Sequence, residues 1–293
     1  MKRREFLKGL GATLVALKAP GYPTGIESPD GVMRKRRLGR TNLMVSVIGY
    51  GGGAIGDWWQ VEVLQEAIKM GVNYIDTAHM YGDGMSERVI GEAIKGMRDK
   101  VYIATKTLRR EAKGAGMDIE ESLARLQLEK IDILQMHGVG SMWDLEAILD
   151  EKNGALKKVK EYRTQGIIDF VGISGAHSPI DGDWPVDSAQ EIRVMAEAIK
   201  TGEFDTVLLS YHIEFQNEAI EALIDLAKQY DVGVVCKKPL GAGKLIKKYG
   251  VERLLKFVVT NIDVHTAIPG MVTINEVWED VSVGLNKKSG SKR

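Results

Sequence analysis

The sequence predicts an α/β fold, a closed (β/α)8 (TIM) barrel with an N-terminal β-hairpin. Three observations carry that reading. Short apolar runs alternate with amphipathic stretches eight times between Val47 and Leu285, and strands that alternate with helices pair in parallel through right-handed crossovers. The eight units occupy about 250 residues, the usual size of such a barrel. No linker interrupts the series, so a single domain is expected over residues 33–286.

The hairpin comes first. Arg34–Leu38 and Leu43–Val47 flank the turn residues Gly39-Arg40-Thr41-Asn42. A strand through Val47–Tyr50 leads into a glycine loop. The helix at Val61–Met70 has apolar residues at 61, 64, 67 and 68 and stops at Gly71. The expected strands then run at Val72–Asp76, Val101–Lys106, Ile131–His137, Ile168–Ile173, Thr206–Leu209, Gly233–Cys236 and Val264–Ile268. The expected helices run at Glu87–Lys95, Asp118–Leu128, Ala155–Thr164, Ser188–Lys200, Glu218–Gln229, Val251–Val259 and Asn275–Leu285. Long loops are expected at 107–117, 138–152 and 174–187, all on the face where barrels keep their chemistry.

The ends of the chain differ from this body. Residues 1–40 carry ten Lys/Arg against three Asp/Glu, a balance of +7 in a chain of net charge zero. Residues 1–30 run basic, then mildly apolar, then turn-rich, which is the order of an export leader. The run Arg3-Arg4-Glu5-Phe6-Leu7-Lys8 resembles a bacterial twin-arginine signal, implying the twin-arginine export machinery as a partner and a periplasmic location. Residues 287–293 read as a short basic tail. The basic excess lies in these ends, so nothing marks a nucleic-acid footprint. No apolar run is long enough to span a bilayer. One cysteine, Cys236, excludes an intramolecular disulfide, and five histidines with one cysteine argue against a zinc site.

Gly51-Gly52-Gly53-Ala54-Ile55-Gly56 satisfies G-x-G-x-x-G, and Asp76 follows at the end of the next strand. Locally this matches a dinucleotide-binding fingerprint. The count of eight units and the residues around Asp76 oppose it. A ribose-binding acid needs no Tyr81 beside it, nor a Lys and a His at the next two strand ends. The glycines serve either close approach of a ligand or the first βα turn.

Asp76, Lys106 and His137 each end a predicted strand, and Tyr81 lies in the loop after Asp76. In a barrel those ends share one mouth. A free tyrosine has a pKa of about 10, too high for acid–base work near neutrality. A neighbouring cation lowers it, and a shift of about 2 units corresponds to roughly 2.7 kcal/mol. Lys106 is expected to supply that cation and Asp76 to hold it. His137 is expected to orient the substrate oxygen while Tyr81 gives its proton to a carbonyl as hydride arrives at carbon. No metal is needed.

The chain resembles the aldo-keto reductases from about Arg36 to Leu285. The resemblance rests on Leu38-Gly39-Arg40-Thr41-Asn42, Asp76-Thr77-Ala78 with Tyr81-Gly82, Ser86-Glu87 with Ile90-Gly91, Thr105-Lys106, Gln135-Met136-His137, Val171-Gly172-Ile173-Ser174, Pro239-Leu240-Gly241 and Ile268-Pro269-Gly270. It implies an NAD(P)H-dependent carbonyl reductase with Asp76, Tyr81, Lys106 and His137 as its catalytic tetrad. It also implies cofactor contacts from Gly51, Ser174, Lys237, Pro239, Leu240, Gly241, Lys244, Pro269, Gly270, Met271, Glu276 and Asp280.

The chain departs from the family where the nicotinamide binds. Gly175 follows Ser174 where many members have Asn, Leu208 stands near a usual Gln, and Lys237 replaces a stacking aromatic. Glu276 stands where members that prefer NADPH often carry a base, which tilts the expectation to NADH. The competing reading is a cofactor-sensing or partner-binding barrel with vestigial catalysis. His79, His177 and His212 are candidates for lining the mouth, while His265 and Cys236 read as structural. Trp58 and Trp59 fit either a pocket wall or helix packing.

Overall fold

The structure is a computed structural model that describes residues 30–176 and 188–286. The expected leader (Asp30 apart), the basic tail, His177 and most of the 174–187 loop fall outside the described residues. In chain order the elements are β1 (Val32–Met33), β2 (Lys35–Arg37), β3 (Met44–Ser46), β4 (Tyr50–Gly51), α1 (Gln60–Lys69), β5 (Tyr74–Asp76) and α2 (Met85–Ala93). They continue with β6 (Tyr102–Thr107), α3 (Ala112–Leu126), β7 (Ile131–Val139), α4 (Met142–Leu149), α5 (Ala155–Thr164), β8 (Ile168–Gly175), α6 (Ser188–Lys200), β9 (Thr206–Ser210) and α7 (Glu218–Gln229). The last are β10 (Gly233–Lys237), α8 (Ile246–Tyr249), α9 (Val251–Thr260), β11 (Thr266–Ile268), α10 (Ile274–Ser282) and β12 (Leu285–Asn286).

Strands β4 to β11 form one eight-stranded sheet in sequence order, every pair parallel. It closes through a parallel bridge between Ile48 and Ala267. There Gly49 N donates to Ala267 O at 2.8 Å, Ala267 N to Val47 O at 3.0 Å and Gly51 N to Pro269 O at 2.8 Å. The barrel is therefore the expected one, and the six-stranded dinucleotide fold suggested by Gly51–Gly56 is absent. The Cβ directions of Gly51 and Gly52 are filled by protein rather than left for a ligand. A side chain at 51 would meet the backbone of Ile268 and Pro269, and one at 52 would meet Asp76 O and Ser86 Oγ.

The apolar residues divide into two layers. One packs the helices onto the outside of the sheet. The other fills the barrel: Leu38, Val45, Tyr74, Ala104, Ile133, Leu208, Val235 and Ile268. Leu38 and Val45 come from the β2–β3 hairpin, which plugs the end where the strands begin. Arg36 pins that plug by donating to the carbonyls of Val259, Asn261 and Val264 at 2.5–2.7 Å. Side chains alternate along a strand. Residues two places beyond the interior cluster, Asp76, Lys106, Gln135, Ser210 and Lys237, therefore face the same interior at the opposite, open end.

Four details depart from the sequence reading. Helix α3 starts at Ala112, well before Asp118, capped by the Glu111 side chain on Gly114 N; Gly114 and Gly116 disguised its first turns as loop. The 138–152 loop contains α4, held by a capping box between Ser141 and Asp144. The turn after Leu240 contains the short α8. The last helix ends at Ser282, and Leu285–Asn286 pairs antiparallel with Val32–Met33.

Candidate active site

At the open end, Lys106 is fully buried and donates to Asp76 Oδ1 and to Thr77 O. Gln135 Nε2 donates to the other oxygen, Asp76 Oδ2, at 2.8 Å. Both carboxylate oxygens are thus committed, and the acid can neither rotate nor leave the cation. Burial alone would depress the Lys106 ammonium, but the charges and hydrogen bonds of Asp76 and Tyr81 together outweigh it and hold the pKa above the ordinary lysine value. Lys106 is a fixed cation.

Tyr81 is presented to that cation by an unusual turn. Gly82, Asp83 and Gly84 all have positive φ, at 56°, 51° and 82°. The φ of 82° explains why position 84 is glycine, and an added Cβ there would also meet the Arg125 guanidinium. Arg125 also donates to His79 O at 3.0 Å and pairs with Glu121 and the fully buried Glu87. Behind the turn, Thr77 Oγ1 and Ser86 Oγ share a 2.8 Å hydrogen bond, and Ser86 Oγ donates to Gly52 O. The centre of the Tyr81 ring lies 4.9 Å from Lys106 Nζ, and the ring meets His137 edge-on, with centroids 5.8 Å apart.

The electrostatics correct one expectation. Burial pushes the Tyr81 phenol up; the Lys106 charge opposes that without overcoming it, and Asp76 adds to the rise. The resting residue is a neutral phenol with a phenolate-stabilising cation beside it, not a phenol shifted down. His137 is pushed far below the ordinary histidine value by burial first, then by the charges of Lys106, Lys237, Arg110 and Lys238. It is a neutral imidazole. Its Nδ1 is buried without a hydrogen-bond partner, which leaves Nε2 as the ring atom a substrate oxygen can meet. Lys106, His137, His79, Met80, Leu108, Arg109 and Asp118 line one cavity of about 350 Å³.

Two positioning residues were not singled out from sequence. Gln135 is the second clamp on Asp76. Arg110 donates to the backbone carbonyls of Leu108, His137 and Gly138 and pairs with Asp144 at 2.9 Å, so it ties the end of β7 to α4. A polar residue at an inward position just before a strand end was the available signal for Gln135.

The departures at 175 and 237 form one unit. Lys237 Nζ donates to Gly175 O and lies 3.8 Å from Glu191 Oε1. A Cβ on Gly175 would overlap the Glu191 carboxylate. A side chain at 175 would therefore require the acid that faces Lys237 to move aside. Burial lowers the Lys237 pKa, and Glu191 opposes that. Ser174 is buried beside Leu208 in the next strand, and its hydroxyl donates weakly to Gly175 O at 3.3 Å. Leu208 itself belongs to the apolar interior.

The expected phosphate loops fare differently. Between Lys238 and Gly243, which includes Pro239 and Leu240, the chain turns through left-handed conformations at Lys238, Gly241, Ala242 and Gly243. The turn uses its own N–H groups: Gly241 N donates to Lys238 O at 2.9 Å, Gly243 N to Leu240 O at 3.1 Å and Lys244 N to Gly241 O at 3.1 Å, and the Lys244 side chain stands on the surface. After Pro269 and Gly270 the picture changes. Glu276 Oε2 accepts from Val272 N at 2.6 Å and Thr273 N at 3.1 Å, completing a capping box with Thr273. Two N–H groups expected to face a phosphate are thus taken by a carboxylate of the chain. Met271 is buried in the core and its carbonyl accepts from Tyr50 OH at 2.5 Å. His265 is structural, with Nδ1 accepting from Val234 N at 2.9 Å. Cys236 is buried with its thiol pushed up by desolvation.

Asp280 is buried in α10, and desolvation, then Glu279 and Glu276, raise its pKa to about 8. An acid raised in this way stabilises the fold fully below its unfolded value of about 3.8 and loses that contribution as pH climbs towards 8. Asp280→Asn mimics the protonated form. It should leave the urea midpoint nearly unchanged at pH 4 and add on the order of 2–4 kcal/mol at pH 8; equal effects at both pH values would contradict the shift.

A family model described as "Aldo/keto reductase family" matches residues 47–284. The chain is 30% identical to an L-galactose dehydrogenase of Arabidopsis thaliana, covering 84% of this chain and 86% of that one. Its fold is similar to the holo form of aldo-keto reductase AKR11C1 from Bacillus halodurans, with TM-score 0.70, 24% identity, and 86% and 90% of the two chains covered. It is likewise similar to an aldo/keto reductase from Klebsiella pneumoniae solved with NADP and acetate, with TM-score 0.68, 23% identity, and 88% and 92% covered. With the Lys106–Asp76 pair, Tyr81 and His137 gathered at one barrel mouth and the family model spanning the whole barrel, the chain belongs to the aldo/keto reductase family.

Proposed function

We propose that the chain is a reversible, NAD(P)H-dependent reductase of an aldehyde or ketone. One observation carries this reading: a buried, clamped cation lies against a neutral tyrosine at the edge of a cavity whose other wall is a neutral histidine. When bound, the dinucleotide supplies hydride to the carbonyl carbon. His137 donates from Nε2 to the carbonyl oxygen and fixes its position. Tyr81 gives its phenolic proton to that oxygen as negative charge builds there, and Lys106 stabilises the phenolate left behind. The phenol is restored by proton uptake from solvent. The lysine charges at this turn, Lys238 and Lys244, are the groups suited to the phosphates. His79, Arg109 and Asp118 make a polar wall suited to a small hydroxylated carbonyl compound, in keeping with the sugar in the Arabidopsis relative's name.

Tyr81→Phe should lower kcat for reduction by about 10²–10⁴-fold, while the dissociation constant for the reduced dinucleotide stays within a factor of about three. Because the phenol is raised, wild-type reduction should stay level through neutral pH and fall only above the ordinary tyrosine value. The reverse oxidation should rise with pH over the same range. A reduction rate that drops below pH 9 would contradict the assignment.

Glu276 favours NADH over NADPH. Its carboxylate lies across the N-terminus of α10, where a 2′-phosphate would meet like charge. Fluorescence titration should show tighter binding of NADH, and Glu276→Gln should narrow the preference by roughly three- to tenfold. Tighter NADPH binding by the wild type would sink this preference.

The sequence of residues 1–30 supports export in the folded state, with the dinucleotide carried tightly or another electron source outside. Residues 1–30 fused to a folded reporter should send it to the periplasm, and replacing Arg3 and Arg4 with Lys should retain it in the cytoplasm. Export that survives that double change would exclude the twin-arginine route.

A further inference from the structure

The cavity that holds Lys106 and His137 has one charged side chain on its wall that the transfer of hydride and proton does not use. Arg109 lines that cavity, and 56% of its side chain is exposed. Its neighbours fix where it points. Arg109 Nε makes a long hydrogen bond of 3.5 Å to Asp118 Oδ1, while Asp118 Oδ2 accepts from Thr107 Oγ1 at 2.7 Å. The backbone N of Arg109 donates to the same Thr107 hydroxyl at 3.0 Å. A Cβ added to Gly114 would lie 3.0 Å from Arg109 Cγ and Cδ, so the arginine stem runs across the first turn of α3. The anchoring takes only Nε. Among the described residues, neither terminal NH2 group of Arg109 has a partner.

Two coplanar NH2 groups on one guanidinium form a fork that matches the two oxygens of a carboxylate. The acids around the cavity are already committed and leave that fork open. Asp118 is buried against Thr107 and Arg109 Nε. Glu121 accepts from Arg125 at 2.9 Å and shares a 2.9 Å hydrogen bond with His79 Nε2. Asp76 is held by Lys106 and Gln135. The charges of Lys106, Lys237, Arg110 and Lys238 bear on His137, so an anion entering beside that histidine is attracted. One fork of single charge answers a carboxylate better than a dianionic phosphate.

We propose that Arg109 is a specificity residue that binds a carboxylate of the substrate, so that the compound reduced here is an aldehyde acid or a keto acid. Its carbonyl oxygen meets Tyr81 and His137, and its carboxylate lies on the Arg109 fork at the cavity wall. The inference rests on the reductase reading above and adds the charge of the substrate. The dinucleotide's hydride goes to the carbonyl carbon and the Tyr81 proton to the carbonyl oxygen. The carboxylate is untouched, and the product is the corresponding hydroxy acid.

Steady-state kinetics of the full chain with the reduced dinucleotide and two matched pairs of aldehydes test the assignment. The pairs are succinic semialdehyde with its methyl ester and 4-carboxybenzaldehyde with its methyl ester; each differs by one charge at a fixed distance from the carbonyl. The wild type should favour the acid of at least one pair by about tenfold in kcat/KM, the worth of a charge-assisted contact, and mainly through KM. Arg109→Gln should bring that ratio to about one. Arg109→Lys, which keeps the charge and loses the fork, should hold about a third of it. The wild-type preference should also shrink as salt is added, because the guanidinium is half exposed. The readout is a ratio within one protein, so a partly unfolded variant lowers both rates and leaves it unmoved. No preference for the acid in either pair, or a preference that survives Arg109→Gln, would overturn the assignment and leave the reductase reading standing. Turnover of none of the four aldehydes would remove both readings.

Discussion

The site depends on one buried ion pair. Lys106 lies in an interior whose lower layers are apolar, and an isolated ammonium there would lose its proton or unfold its surroundings. Asp76 prevents this, and Gln135 and the Thr77 carbonyl fill the remaining hydrogen-bonding positions. Removing one partner of such a pair typically costs about 3–5 kcal/mol, because the other charge is left uncompensated. The pair is therefore a structural commitment before it is a catalytic one. What it gives in return is a cation whose position does not fluctuate, set against the Tyr81 ring. The left-handed turn at Gly82–Gly84 and its Arg125 clamp exist to hold that tyrosine at the right height.

The departures from the family pattern follow from a second charge. Lys237 occupies an interior position on β10 and needs a partner as Lys106 does. Glu191 provides it from α6, and its carboxylate takes the volume above Gly175. Glycine at 175, lysine at 237 and glutamate at 191 are thus one exchange rather than three unrelated losses. The exchange places a second positive charge near the reaction and removes one amide-recognising side chain.

Much of this was legible in the sequence, and the limits have physical causes. Asp76, Lys106 and His137 were readable because charged or titratable residues at the ends of consecutive apolar runs have few structural uses. The eight units were readable from their alternation. The charge state of Tyr81 was not, since the sequence shows that a lysine is near but not that burial outweighs it. Gln135 was hidden by its neighbour His137, which takes the eye in the same strand. Glu276 read only as an acid standing where NADPH-preferring members carry a base. Its Thr-x-x-Glu spacing with Thr273 was in fact the signature of a capping box, and the same Ser-x-x-Asp signature announced α4. Glu191 could not be linked to Gly175 and Lys237 by any spacing, because its contact is made only when β8, α6 and β10 are assembled.

The layered interior also sets the chemistry's direction. An apolar plug at one end and a polar mouth at the other leave Tyr81 and His137 in a region where charge creation is resisted. Both residues rest neutral for that reason, and each has one proton to donate towards a substrate oxygen. Neutral donors suit the reductive step, in which negative charge arrives at the substrate oxygen and is quenched by a proton from Tyr81. The phenolate that results is tolerated only because Lys106 is already charged and fixed. In the oxidative direction the enzyme must begin from that phenolate, a state its burial disfavours. The same burial that makes Tyr81 a dependable acid therefore makes it a reluctant base, and the balance between the two directions becomes a function of pH through this one residue.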